Sequence, residues 1–286
     1  MDDSIFPPSA LASFEAAYPE QSLKLEHRLA GHELFTLDAL AGLAERLDPE
    51  QVEYNAGNLP VGIDPSDVPG NGLSIAETIR SIEACGSWMV LKFVESDPAY
   101  RAMMDDALAE LVPTVEPRTG AMLKREAFIF VSSPDAVTPF HFDPEHNILL
   151  QLRGTKTMTV FPAGDEAIVA STAHETFHLG GHRNLPWRDE FAASGRPVAL
   201  APGEAVYVPV KAPHWVKNGP DVSISLSITW RSEWSYAEAD ARGLNNLLRR
   251  FGVEPAPPQR YPSRNLGKAY AYRAIRRART LTGWSA

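Results

Sequence analysis

Three side chains of this 286-residue protein have the types and the spacing of a metal-binding site. His141 and Asp143 are two residues apart after an apolar run, and His214 follows 73 residues after the first histidine. Alternate residues of a strand point to the same side, so His141 and Asp143 can bind one metal ion together. Two histidines and one carboxylate leave half of an octahedral coordination sphere open, as in non-haem iron(II) oxygenases. The pattern therefore predicts an iron(II) centre with room for a co-substrate and oxygen.

The rest of the composition limits the chemistry and the location of the protein. The single cysteine, Cys85, excludes an internal disulfide and any cysteine-rich metal site, so a bound metal must use histidines and carboxylates. The chain begins with the acidic stretch Met1 to Asp3, where a signal peptide would be basic, and no apolar stretch reaches membrane-spanning length. We therefore expect a cytoplasmic protein without a membrane span.

Charge is distributed unevenly along the chain. After residue 241, ten Lys or Arg residues stand against one acid, Glu254, so this segment carries +9. The total is −9, which leaves −18 for residues 1–241. A body this acidic is not expected to bind nucleic acid, and it favours a basic target or a docking surface for the basic tail.

The elements that must position the metal ligands are mostly short strands. Between Phe128 and Trp230, apolar and β-branched runs are separated by Gly, Pro, Asn and Asp, a pattern typical of a β-barrel or β-sandwich. The runs are FIFV, NILLQL, TMTVF, AVYVPV and VSISLSITW. In the last run, serines and Thr229 alternate with large apolar residues, which predicts one apolar face and one hydroxyl-lined face toward a ligand cavity.

Helical patterns flank this β region. They occur around residues 37–47, from Ser74 as a predicted N-cap, after Asp97 and after Trp234, and a Pro-rich and Gly-rich loop separates the first two. We therefore expect a mainly β protein with three parts. Residues 1–85 form an N-terminal helical elaboration, residues 86–235 form the barrel, and residues 236–286 form a basic C-terminal helical segment.

The segment TPFHFDPEHNILLQLRGTKTMTVFP resembles the core of the JmjC family, especially the cupin-like branch that contains the hypoxia-pathway asparaginyl hydroxylase. This resemblance implies a double-stranded β-helix, the jelly-roll barrel of cupins. It also implies that Thr138, Asn147 and Lys156 bind the co-substrate 2-oxoglutarate, with Lys156 pairing with its distal carboxylate. The turn at Arg153 and Gly154 is expected to return Lys156 on the strand beside Asn147.

The same family commonly adds a hydroxyl group near the co-substrate carboxylate from an earlier strand. Four residues are candidates for that role: Trp88, Lys92, Ser132 and Ser133. The resemblance implies a hydroxylase that uses iron(II), 2-oxoglutarate and oxygen, acts on a protein side chain or a small molecule, and forms a homodimer through its C-terminal helices. A non-catalytic cupin that binds a ligand is the alternative from another functional class.

A second motif suggests different chemistry. His174, Glu175 and His178 match the His-Glu-x-x-His helix of zinc metallopeptidases, in which the glutamate activates water. The extended motif requires a third histidine where this chain has Asn184, although His182 lies nearby. The surrounding segment is short for the required helix, so we expect a solvated or loop-packed histidine cluster. It falls in an insertion between barrel strands, where His174 and His178 can lie at the rim of the mouth without binding metal.

Overall fold

The computed structural model describes residues 4–56, 72–73 and 75–282. The predicted N-cap Ser74 and most of the predicted loop before it lie outside these residues. The helices are α1 (Pro8–Ala17), α2 (Leu37–Arg46), α3 (Ile75–Arg80), α4 (Pro98–Thr119), α5 (Ser171–Phe177), α6 (Glu233–Arg249) and α7 (Leu266–Thr282). Among the described residues, no helix is both long enough and apolar enough to cross a membrane.

The strands form two antiparallel sheets. They are β1 (Leu23–Glu26), β2 (Val52–Ala56), β3 (Ser87–Lys92), β4 (Met122–Ser132), β5 (Val137–His141), β6 (His146–Arg153), β7 (Lys156–Val160), β8 (Arg196–Leu200), β9 (Glu204–Val208), β10 (His214–Asn218) and β11 (Ser223–Ser232). The larger sheet has the order β1-β9-β6-β11-β4-β3-β2, and the smaller has the order β5-β10-β7-β8. Two facing antiparallel sheets with these crossovers form a jelly-roll barrel, so the predicted double-stranded β-helix fold is confirmed.

The central strand β11 separates two environments. Leu226 and Ile228 belong to the large apolar core that also contains side chains of α1, α2 and α4. On the opposite face, the Ser225 hydroxyl donates to the Gln151 side chain at 2.8 Å, and the Ser227 hydroxyl donates to Asn147 at 2.9 Å. The predicted alternation therefore gives the barrel a polar inner wall.

Lys156 and Asn147 lie in different sheets, so the prediction that their strands are neighbours is wrong. Strand β6 pairs with β9 and β11, whereas β7 pairs with β8 and β10. The chain crosses between the sheets at Gly154, which has a φ of 65°. A Cβ atom there would lie 2.3 Å from the carbonyl oxygen of Val222, so only glycine fits this crossing. The sequence indicated the turn at Gly154, but it did not indicate that the following strand belongs to the other sheet.

The segments outside the barrel are joined to it by strands and by helix packing. Strand β1 pairs with β9, and β2 pairs with β3, so the N-terminal part contributes strands as well as the predicted helices. Helix α6 follows β11 without a break, and the ring of Tyr272 on α7 packs against Gly243 on α6. The boundaries at residues 85 and 235 stay predictions.

Candidate metal centre

The ends of two paired strands bring the predicted metal ligands together. His141 is the last residue of β5, His214 is the first residue of β10, and the two residues are register partners. Asp143 lies just beyond the end of β5, so the strand geometry expected from sequence applies to His141 alone. All three side chains nevertheless converge, because the chain bends back at this point toward β6.

The three ligand atoms are close enough to share one ion. Oδ2 of Asp143 lies 3.8 Å from Nε2 of His141 and 3.7 Å from Nε2 of His214. Both distances are below about 4.2 Å, twice a typical metal–ligand bond length of about 2.1 Å. One atom from each residue lies within 4.8 Å of the other two, and no other such group occurs in the described ranges.

Backbone carbonyl groups orient both imidazole rings. Nδ1 of His141 lies 2.7 Å from the carbonyl oxygen of Pro139, and Nδ1 of His214 lies 3.0 Å from that of Ala212. A carbonyl oxygen only accepts, so each Nδ1 carries the hydrogen and each Nε2 presents a lone pair toward Asp143. Two lone pairs and a carboxylate form a donor set that fits iron(II) and other divalent transition metals.

Electrostatics keep these groups in their metal-binding protonation states. Burial, together with the neighbouring His214, lowers the pKa of His141 to about 4, so this ring is neutral near pH 7. Burial alone would raise the pKa of Asp143, but His141 and Arg183 outweigh it and hold the pKa below its usual value. The carboxylate is therefore ionised and both ligands are ready for a cation.

Arg183 contacts the candidate metal centre, although the sequence did not single it out. Its Nη1 donates to Oδ1 of Asp143 at 2.9 Å, the oxygen that does not face the imidazoles. The segment around it is bound to the end of β5, because the amide of Phe142 donates to the Arg183 carbonyl and that of Leu185 donates to the Phe140 carbonyl. The only available signal was its place in an insertion between barrel strands, where residues commonly reach a site.

Replacing Arg183 with alanine is expected to weaken cobalt(II) binding about tenfold, because the residue orients a ligand carboxylate without itself binding metal. An anaerobic cobalt(II) titration followed by visible absorption measures the change. Arg188→Ala is the matched control, since Arg188 is an exposed arginine of the same insertion and pairs with Glu190. Equal cobalt(II) affinities of the two variants would contradict this role for Arg183.

The residues expected to bind the co-substrate face the barrel interior from both sheets. Thr138 is the register partner of Val216, whose side chain belongs to the apolar cluster inside the barrel. Asn147 is on the same face of β6 as Leu149, another member of that cluster. Lys156 shares its face of β7 with Met158. All three are placed to reach the barrel interior.

Lys156 is buried, and no described residue forms a hydrogen bond or ion pair with its ammonium group. Burial lowers its pKa to about 7. Lys156 and its register partner Asn218 line a cavity of about 320 Å³ that Thr138 and Asn147 do not line. An unpaired buried lysine is costly, so this position suits an anionic ligand.

The four candidates for the additional hydroxyl group have different surroundings. Ser133 bonds to the backbone of Ser87 and Ile82, and Lys92 pairs with Glu53, so both are already engaged. The indole ring of Trp88 packs against Phe130, and its Nε1 is buried without a hydrogen-bond partner in the described chain. Ser132, the register partner of Trp88, is also buried. Trp88 and Ser132 thus stay the candidates for this role.

The zinc-peptidase motif does not form a metal site. Helix α5 has only seven residues and ends before His178. Glu175 accepts a hydrogen bond from Arg249 at 2.8 Å. Burial, with Arg242 nearby, lowers the pKa of His174 to about 2, and the ring packs against Phe142 at 4.6 Å. Of the two positions that the sequence left open for this histidine, solvated or packed, His174 therefore has the packed one.

The comparison with known families agrees with this architecture. Residues 87–236, about half of the chain, match the family model described as the cupin-like domain. The chain belongs to this family. The matched region runs from β3 to the start of α6, so it contains the whole smaller sheet, all strands of the larger sheet except β1 and β2, and all three candidate ligands.

Two curated relatives of this cupin-like protein match over shorter stretches. A segment of 102 residues is 28% identical to lysine-specific demethylase 8 of Xenopus tropicalis and covers 33% of this chain and 22% of that protein. A segment of 112 residues is 30% identical to the HSPB1-associated protein 1 homolog of Danio rerio and covers 36% of this chain and 25% of that protein. The chain spans about a quarter of the length of these relatives.

Among solved structures, this cupin-like protein is similar to the Escherichia coli ribosomal oxygenase YcfD. The YcfD complex with cobalt and 2-oxoglutarate has a TM-score of 0.51 and 16% identity, and the match covers 95% of this chain and 67% of that one. At this level of identity, the likeness shows a shared fold.

Proposed function

We propose that this cupin-like protein is an iron(II)- and 2-oxoglutarate-dependent oxygenase that hydroxylates a protein side chain. The observation that carries the proposal is the convergence of His141, Asp143 and His214, with both Nε2 atoms facing the same carboxylate oxygen. When bound, iron(II), 2-oxoglutarate and oxygen supply the oxidative chemistry, in which a C–H bond is hydroxylated and succinate and carbon dioxide are released. The residues of the chain bind, orient and shield these groups.

The proposed co-substrate site extends from the metal centre to Lys156. His214 is the register partner of Val160 on β7, four residues along the strand from Lys156. That interval corresponds to about 13 Å of strand, which suits a lysine side chain and a five-carbon dicarboxylate placed end to end. Lys156 pairs with the distal carboxylate, Thr138 and Asn147 offer hydrogen bonds, and Trp88 adds an indole donor. The apolar side chains between them exclude water.

A protein substrate is favoured by two similar proteins, a lysine-specific demethylase and a ribosomal oxygenase. The acidic body of the chain favours a basic target surface. Arg183 lies beside the metal ligands with much of its side chain exposed, so it is placed to contact an incoming substrate.

The proposal is tested by loading the protein with iron(II) and 2-oxoglutarate without oxygen, then admitting oxygen and measuring succinate. We expect slow succinate formation by the wild type, which increases when basic peptides are added, and none by His141→Ala. If small molecules increase succinate formation and peptides do not, the substrate is a small molecule and not a protein side chain. Tight 2-oxoglutarate binding without succinate under any of these conditions would favour the non-catalytic cupin.

The remaining expectations from sequence stay predictions. The proposed homodimer would cover the exposed side chains of Phe251, Tyr270 and Leu281 in and beside the C-terminal helices, and sedimentation analysis tests it. Location in the cytoplasm and the lack of nucleic-acid binding also stay predictions.

A further inference from the structure

The turn from Pro209 to Pro213 contacts two of the three candidate ligands through its backbone. The amide of Lys211 donates to the carbonyl oxygen of Asp143 at 2.8 Å. The carbonyl oxygen of Ala212 accepts the Nδ1 hydrogen of His214 at 3.0 Å. The position of this turn therefore determines both where Asp143 lies and how the His214 ring is oriented.

Lys211 has two unusual properties for a lysine in a turn. Its φ is 61°, in the left-handed region that residues other than glycine rarely adopt. Its side chain is only 1% exposed, although lysine is almost never fully buried unless it is paired. Such a conformation persists where the surrounding structure holds it in place.

A buried ion triad holds the Lys211 side chain. Its Nζ donates to Oε2 of Glu238 on α6 at 2.6 Å. Nε of Arg242, one turn further along α6, donates to the other oxygen of the same carboxylate. Burial alone would raise the pKa of Glu238, but the two cations hold it well below its usual range. The carboxylate thus stays ionised between a helix cation and the cation of the turn.

A second contact fixes the neighbouring residue of the turn. Nη1 of Arg260 donates to the carbonyl oxygen of Val210 at 3.1 Å, and Nε of the same guanidinium donates to Glu20 at 2.9 Å. Residues 210 and 211 are therefore both held by side chains that follow the barrel in sequence. Buried ion pairs contribute little net stability, because desolvation offsets their attraction, so a role in holding geometry fits the triad better than a role in stability.

We infer that Glu238 and Lys211 are positioning residues for the metal centre. The Glu238 carboxylate holds the Lys211 ammonium, and the Lys211–Ala212 backbone then holds Asp143 and His214 in metal-binding geometry. This inference rests on the proposed function, since the triad has this role only if the centre binds metal. In this role, Glu238 on helix α6 supports the geometry of the metal centre in the barrel.

The test is an anaerobic cobalt(II) titration of the full chain, followed by visible absorption, with circular dichroism and thermal unfolding as measures of folding. Lys211→Met keeps the length of the side chain and leaves Glu238 paired with Arg242. We expect it to bind cobalt(II) at least about tenfold more weakly, with altered visible bands and a melting temperature near that of the wild type. Lys211→Arg keeps the cation and is expected to recover most of the affinity.

Glu175→Gln is the matched control. It removes another buried carboxylate that pairs with α6, but the partner of Glu175 is Arg249 and not a residue of the turn. We expect it to bind cobalt(II) like the wild type. An equal loss of affinity in this control and in Lys211→Met would overturn the inference, because the loss would then reflect general destabilisation.

Other outcomes are equally decisive. Cobalt(II) binding by Lys211→Met at wild-type affinity, with unaltered absorption bands, would overturn the inference. If Lys211→Met does not fold, the triple variant Lys211→Met/Glu238→Leu/Arg242→Met tests the inference instead. It replaces the whole triad with apolar side chains, so no buried charge of the triad is left unpaired. Weak cobalt(II) binding by the folded triple variant supports the inference, and wild-type affinity overturns it. Absence of cobalt(II) binding by the wild type would instead contradict the proposed function.

Discussion

Replacing Asp143 with alanine is expected to lower cobalt(II) affinity by more than about a hundredfold and to abolish succinate formation. Residues that only orient a metal ligand already change affinity by about 10–100-fold, and Asp143 supplies the one anionic ligand. Its Oδ2 lies within 3.8 Å of both imidazole Nε2 atoms, so no other carboxylate in the described chain replaces it.

Thermal unfolding measures the same loss without activity. A ligand that binds only the folded state stabilises it by about 4 kcal/mol when its concentration is about a thousand times its dissociation constant. Cobalt(II) should therefore raise the melting temperature of the wild type and leave that of Asp143→Ala unchanged. Asp221→Ala is the matched control, since Asp221 is an exposed acid in the turn before β11. An Asp143→Ala variant that is still stabilised by cobalt(II) would place the metal elsewhere.

The affinity for 2-oxoglutarate is expected to fall about tenfold for each pH unit above pH 7. Burial lowers the pKa of Lys156 to about 7 in the free protein, while a bound carboxylate stabilises the ammonium form and raises the pKa. Above pH 7, binding must therefore take up one proton, and the affinity declines by about 1.4 kcal/mol per pH unit. Below pH 7 the ammonium is already present, so the affinity levels off.

Anaerobic calorimetry between pH 6.5 and 8.5, in buffers with different ionisation enthalpies, measures both the affinity and the proton taken up. His141, whose pKa is about 4, does not change its charge in this range. Lys156→Arg keeps its charge and should bind without the pH dependence. Lys156→Ala should lose about 2–5 kcal/mol of binding free energy, about thirtyfold or more, through loss of a buried ion pair. A flat affinity profile for the wild type would exclude Lys156 as the carboxylate partner.

The parts of the site that the sequence predicted correctly depend on local patterns. The alternation of Ser225, Leu226, Ser227 and Ile228 is set by the two-residue period of a strand, and the structure confirms its polar and apolar faces. His141 and Asp143 also converge as near neighbours in the chain, although Asp143 lies beyond the end of the strand on which the sequence placed it.

The errors arose where one segment meets another that is distant in sequence. Lys156 was expected on a strand beside Asn147, but the crossing at Gly154 carries it to the opposite sheet. For His174 the sequence left a solvated and a packed position open, and only the contact with Phe142 shows that it is packed. Local periodicity states which face of an element is apolar, and it does not state which partner covers that face.

The sequence by itself predicted the His-Asp-His set of candidate metal ligands and the β-rich barrel, and the family resemblance suggested Lys156 as the partner of a dicarboxylate. Only the tertiary structure decided that Arg183 contacts Asp143 and that Glu238 holds the turn before His214. The physical reason is that a buried charge is tolerated only where a partner is brought to it by the fold. Glu238 and Lys211 are 27 residues apart in sequence, and no local pattern indicates their pairing.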